Sequence, residues 1–306
     1  MGRRNDAPHG IQALRALRDR CLAKTLQHGE AVTTVVAARM VSAAVFVERH
    51  ERMVADQACV ICDNRAVENQ EQPQAQSPME RSKQPVWLIT GAAGTLGREL
   101  VHQVLTEGAD CIALDRDERG LNQLHDRLAN EGLRPPALYP LDLVGASPDD
   151  YADLAATVNE HFGCLDVLVH AAASFSALRP LEHQAADEWF GILQSGLTGP
   201  FLLTNALMPL LRASGKGCMV WINNTACLTQ PARWGAYGVS QAGRRQMVMT
   251  LAAELGPRGP RVLEVDPGPF YGPLRSAAWP AETPHELPGA AQAAQRVLQT
   301  IHQGEQ

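Results

Sequence analysis

Two stretches of this 306-residue chain hold side chains suited to chemistry. The first is Trp234-Gly235-Ala236-Tyr237-Gly238-Val239-Ser240-Gln241, which follows a strand-like run and opens a helix. A phenol there can move a proton, but a free phenol has a pKa of about 10 and is a poor base at neutral pH. Gln241, one helical turn beyond Tyr237, is neutral and cannot lower that value by charge. The second stretch is Ile89-Thr90-Gly91-Ala92-Ala93-Gly94-Thr95-Leu96-Gly97, between a strand-like run and an amphipathic one. Its glycines allow a tight turn and close backbone approach to a pyrophosphate, and the following helix start presents N–H groups to the anion. Gly91, Gly94, Thr95, Leu96 and Gly97 are therefore candidate dinucleotide contacts.

Asp115 ends the second strand-like run. A carboxylate there accepts hydrogen bonds from a ribose diol and repels a 2′-phosphate, which favours NAD over NADP. Arg116 follows directly and can pair with a phosphate, so NADP stays open. Asp142 and Leu143, closing the third run, are candidates for the adenine edge, with a turn or cap role as the alternative for Asp142.

The elements that must position these residues alternate. Strands are expected at 86–90, 111–115, 137–142, 165–171, 218–223 and 261–266. Helices are expected at 96–107, 121–130, 148–161, 186–213, 237–255 and 288–301. That order predicts an α/β fold, a doubly wound (Rossmann-type) parallel sheet with helices on both faces, over 85–306. Residues 1–65 carry a helical period and read as an N-terminal extension, either a regulatory helix pair or over-extended translation with Met79 as the true start. The Gln-, Glu- and Pro-rich residues 66–84 read as a disordered linker.

The net charge of −6 gives no electrostatic case for nucleic acid or an anionic membrane. The apolar run 31–47 contains Arg39 and is shorter than a membrane span. Seven irregularly spaced cysteines suggest reduced thiols and a cytoplasmic setting. Cys59 and Cys62 lack a second ligand pair, so no metal is expected.

Over about residues 85–275 the chain resembles the short-chain dehydrogenase/reductase family, in its compact single-domain branch. The resemblance rests on the Thr90–Gly97 turn, Asp115, Leu165-Asp166-Val167-Leu168-Val169-His170-Ala171-Ala172-Ala173, Tyr237 with Ser240, and Asp266-Pro267-Gly268. It implies hydride transfer between NAD(P) and a small carbonyl or alcohol, with Tyr237 moving the proton. It also implies cofactor contacts from Ala171, Pro267, Gly268, Tyr237 and Gln241, and a homodimer through the long helices.

Several positions depart from the family pattern. Thr95 stands in a usual Gly position, and Ala171-Ala172-Ala173 replaces Asn-Ala-Gly, removing an amide that ties strands together. Gly196 replaces the Asn of the proton relay, and Gln241 replaces the Lys. Thirteen residues before Tyr237, Asn224 replaces the Ser and offers an N–H to the substrate oxygen. Thr225 is an alternative source of a hydroxyl. Arg244 and Arg245 are expected to be solvated, with partial restoration of the missing charge as the other reading. Carbonyl reduction by NADH with Tyr237 as acid is the expected activity, and an inactive dinucleotide-binding sensor or partner subunit is the alternative.

Overall fold

The computed structural model describes residues 84–283 and 286–303. The expected extension over 1–65, Cys59 and Cys62, Met79 and nearly all of the 66–84 linker lie outside the described residues.

Six strands form one parallel sheet: β1 (Val86–Thr90), β2 (Asp110–Asp115), β3 (Ala137–Pro140), β4 (Val167–His170), β5 (Cys218–Ile222) and β6 (Arg261–Val265). Their order is β3-β2-β1-β4-β5-β6. The chain runs outward from β1 to one edge, then returns to build the other half from β4. The crevice between the carboxyl ends of β1 and β4 is thus where a ligand is expected in such a sheet.

Side-chain alternation along each strand feeds two cores. Trp87, Ile89, Cys111, Ala113, Val167 and Val169 face helices α1 (Thr95–Thr106), α2 (Glu118–Asn130) and α9 (Ala290–Gln303). Val86, Leu88, Ile112, Leu168, Met219 and Trp221 face α3 (Pro148–Phe162), α5 (Gly199–Ser214) and α7 (Gly235–Leu255). Asp166 supports this layer from within. It is 4% exposed, and its carboxylate accepts from Val86 N–H at 2.8 Å and Ser214 Oγ at 2.5 Å. The start of β1 is thereby fastened to the end of α5.

The single long helix expected over 186–213 is instead three pieces. These are α4 (Ala186–Leu193), a π turn (Gln194–Thr198) and α5. Pro200 supplies a physical reason. It stands four residues after Gly196 and has no N–H, so the Gly196 carbonyl has no α-helical donor. The π turn also lies close against α7: a Cβ on Gly196 would come within 2.9 Å of Ser240 Oγ. Two short helices were not expected, α6 (Ala226–Thr229) and α8 (Pro273–Ala278).

His170, at the end of β4, is wholly buried. Its ring lies 4.2 Å from the Trp221 ring and its Nε2 is 2.8 Å from Thr204 Oγ1. Burial, and then the Arg244 charge, hold its pKa well below 6.5. In the unfolded chain the same histidine takes up a proton near its ordinary value. Stability from this site is therefore present above about pH 6.5 and is lost as the pH falls through the depressed folded value. The expected slope is about 1.4 kcal/mol per pH unit. Denaturant midpoints measured across pH should show that slope in the wild type and lose it in His170→Gln; equal slopes would contradict it.

Candidate active site

A cavity of about 270 Å³ opens at the β1–β4 crevice. Among the residues lining it are Gly91, Gly94, Asp115, Arg116, Asp142, Leu143 and Ala171, all expected cofactor contacts. Ala93, Ser174 and Ser195 also line it and were not anticipated. Thr95, Leu96, Gly97, Pro267, Gly268, Tyr237 and Gln241 do not line it. Leu96 points into the core. Thr95 is exposed and lies beside Gly272, where a Cβ would be 3.5 Å from Thr95 Cγ2.

The turn itself is built by close backbone packing. Gly91 has φ +71°, and a Cβ there would sit 2.8 Å from Ala172 Cα. A Cβ on Gly97 would overlap the Gly91 carbonyl. Thr90 Oγ1 accepts from Ala171 N–H at 3.1 Å and Ala172 N–H at 3.2 Å. It also donates to the Val169 carbonyl at 3.3 Å. A threonine hydroxyl thus ties β1 to β4, a connection the sequence reading had linked to the missing Asn.

These residues fit a dinucleotide. Gly94 leaves the start of the 12-residue α1 without a side-chain cap, and its first turn has no acidic residue, so its N–H groups suit a pyrophosphate. Asp115 is held rigidly at the cavity wall. Its Oδ2 accepts from Ala93 N–H and its Oδ1 from Asp117 N–H, both at 3.0 Å. Asp142 Oδ1 accepts from Val144 N–H at 3.0 Å, so it serves its own turn while lining the cavity.

Tyr237 lies in a third apolar cluster with Ile192, Cys227, Trp234, Ala236 and Ala278. Its ring is 5.3 Å from Phe175 and 5.5 Å from Trp234, and Trp234 is 5.4 Å from Trp279. The segment around Trp279 therefore packs over this cluster. Arg275 stacks at 3.6 Å on Trp279 and makes two 2.6 Å hydrogen bonds to Glu282. Tyr237 is only 4% exposed. Burial pushes its phenol up to about 12, reinforced by Cys227 and Asp266 and opposed by the Asn224 hydrogen bond and the Arg244 charge.

The spacing of 13 between Asn224 and Tyr237 does bring them together: Asn224 Nδ2 is 3.5 Å from the phenol oxygen. Asn224 is fixed by Ala226 N–H on its Oδ1, at 3.1 Å, and by its own N–H, which donates to Asn223 Oδ1 and Gln241 Oε1. Gln241 is 1% exposed, with its Oε1 taken by that backbone contact at 3.1 Å. That oxygen braces the Asn224 turn.

Two other expectations change. The Thr225 hydroxyl donates to Asp266 Oδ2, as does the Thr225 N–H at 2.8 Å, so it is engaged away from the phenol. Asp266 also accepts from Gly268 N–H at 2.8 Å, and Pro267 O accepts from Arg296 Nε at 2.8 Å, which fixes the Pro267-Gly268 turn. Arg244, expected in solvent, is 1% exposed. It donates to the carbonyls of Gly196 (2.5 Å), Ile222 (2.9 Å) and Ala172 (2.5 Å). Arg245 is the solvated one, half-exposed and 3.7 Å from Glu264.

Among the described residues no cluster could hold a metal ion, and no helix is long and apolar enough to cross a membrane. Cys227, beside Tyr237, is a protonated thiol whose pKa burial pushes up to about 12.

The comparisons with known proteins agree with this architecture. An uncharacterized oxidoreductase, YciK of Escherichia coli, is 32% identical over 200 residues, covering 65% of this chain and 79% of its own. Trans-4-hydroxycyclohexanecarboxylate dehydrogenase of Sinomonas cyclohexanicum is 33% identical over 202 residues, covering 64% and 76%. A short chain dehydrogenase from Shigella flexneri, solved with NADP, superposes with a TM-score of 0.66 at 29% identity, over 72% of this chain and 93% of that one. One from Escherichia coli, solved with NADPH, gives a TM-score of 0.65 at 30% identity, over 71% and 89%. The short chain dehydrogenase family model matches residues 85–283. With the doubly wound sheet, the glycine turn at its switch point and Tyr237 on α7, that match places the chain in the short-chain dehydrogenase family.

Proposed function

We propose that the protein reduces a small or medium-sized carbonyl compound at the expense of NADH, with Tyr237 as the proton donor. The observation that carries this reading is a buried phenol with the Asn224 amide 3.5 Å from its oxygen. When bound, a reduced nicotinamide supplies hydride to a carbonyl carbon. Tyr237 gives its proton to the carbonyl oxygen, and Asn224 Nδ2 is placed to polarise that oxygen. The ring wall of Phe175, Trp234 and Trp279 suits an apolar substrate. Exposed Phe190, Phe201, Val239 and Met249 on α4, α5 and α7 suit a homodimer. The buried thiols Cys111, Cys164 and Cys227 suit a reducing cytoplasm.

Asp115 favours NADH, because its fixed carboxylate would face a 2′-phosphate. The exposed Arg116 on the same wall, and relatives solved with NADP and NADPH, support NADPH as the second reading. Fluorescence titration of the full chain with each cofactor decides. NADH is expected to bind about 10-fold more tightly, and Asp115→Ser should move the ratio toward NADPH by about 10- to 100-fold. Tighter NADPH binding by the wild type overturns the choice, and no binding of either ends the dehydrogenase reading. Binding without turnover of any carbonyl would leave a dinucleotide-binding sensor.

A further inference from the structure

We propose that Arg244 is a positioning residue whose buried charge supplies, at the Tyr237 phenol, the cation absent from position 241. This deepens the carbonyl-reduction reading and rests on it. Arg244 follows Tyr237 by seven residues and Gln241 by three, so all three share one face of α7. That face turns inward: Tyr237, Ser240, Gln241, Arg244 and Val248 are all buried.

The guanidinium is unusual in its partners. All three of its hydrogen bonds go to main-chain carbonyls, and among the described residues no carboxylate pairs with it. Carbonyl oxygens solvate a cation without cancelling its charge. A buried cation lacking a counter-ion is costly to keep, and burial lowers the Arg244 pKa from its ordinary value, yet a guanidinium holds its proton over the whole range in which a protein stays folded. At neutral pH it remains charged, and its interaction with the Tyr237 phenol is mutual: each favours the ionised form of the other. No hydrogen bond joins the two, so the effect is one of field.

The other titratable groups facing this pair are Cys227 from α6, Asp266 from the end of β6 and His170 from β4. Cys227 and His170 are held neutral, and the Asp266 charge opposes ionisation of the phenol. Arg244 is thus the positive group of the set. When Tyr237 passes its proton to the carbonyl oxygen, as hydride arrives at the carbon, a phenolate is left behind. Arg244 stabilises that anion until solvent returns the proton. Geometry permits this because Pro200 leaves the Gly196 carbonyl without an α-helical donor, and Arg244 Nε takes it at 2.5 Å.

The test is the ionisation of the Tyr237 phenol in cofactor-free full-length protein. It is read by tyrosinate absorbance after an alkaline stopped-flow jump, with Tyr237→Phe identifying the signal. Arg244→Gln keeps an amide donor and removes the charge; Arg244→Lys keeps the charge and loses the fork. The phenol midpoint is expected to rise by about one pH unit or more in Arg244→Gln and to stay within about half a unit of wild type in Arg244→Lys. Adding Gln241→Lys to Arg244→Gln should bring it back down. Equal midpoints in the wild type and Arg244→Gln overturn the proposal, as does an equal rise in both variants. If Arg244→Gln does not fold, Arg244→Lys decides: a wild-type midpoint supports the charge role and a raised one refutes it. Since this readout needs neither cofactor nor substrate, it can succeed where carbonyl reduction is not found, or fail where it is.

Discussion

Tyr237→Phe is expected to lower carbonyl reduction by about 100- to 10,000-fold, the range for loss of a positioned general acid. NADH affinity should change by less than about 3-fold, because Tyr237 does not line the cavity that fits the adenosine end. The phenol lies among Phe175, Trp234 and Ala278, where deletion of one oxygen leaves the packing intact. A fall in turnover here is therefore a fall in proton transfer. The reverse reaction gives the sign. Alcohol oxidation needs the phenolate, and with a phenol at about 12 its rate should climb about tenfold per pH unit through the neutral and mildly alkaline range. Steady-state pH profiles in both directions check this. A plateau with a midpoint near neutrality would show that the phenol is not held neutral, and full reduction by Tyr237→Phe would remove Tyr237 from the chemistry.

Gly97→Ala should be nearly as damaging by a different route. Its Cβ would overlap the Gly91 carbonyl and stand 2.8 Å from Ala92 Cα. Both neighbours are backbone, so the start of α1 must retreat from the turn. We expect a loss of about 3 kcal/mol or more in stability, and NADH affinity weakened by more than about 10-fold in protein that still folds. Gly94→Ala is the control, since its Cβ would lie 3.1 Å from the same carbonyl oxygen and its φ of −74° suits any residue. Calorimetry paired with NADH titration separates the two effects. Equal behaviour of the two variants would show that the close approach at Gly97 is not what builds the site.

Much of the fold could be read from the chain because its four inner strands, β1, β2, β4 and β5, are almost wholly buried and appear as short apolar runs. The five residues of β1 are all buried, and the glycine turn after them marks the switch point. Asn224 and Tyr237 were legible as a pair only through the resemblance, whose pattern sets a spacing of 13 before the tyrosine. Arg244 was misread because arginine is usually solvated. A signal was present all the same: Tyr237, Gln241, Arg244 and Val248 recur every three or four residues on a helix whose inner face must be buried. The break in the 186–213 helix had one cue, Pro200, whose missing N–H falls opposite Gly196. Thr225 was misjudged for want of a distant partner, since Asp266 lies 41 residues away. The hydroxyl that binds strand to strand, on Thr90, was hidden inside a motif usually read for its glycines.

The three carbonyls gathered by Arg244 belong to segments far apart along the chain: the loop after β4, the π turn and the end of β5. One side chain is common to all three. A local opening of any one segment must first withdraw it from the same guanidinium, which loosens the hold on the other two. Through that one side chain the three segments are expected to open together, as one cooperative unit that hydrogen exchange would register.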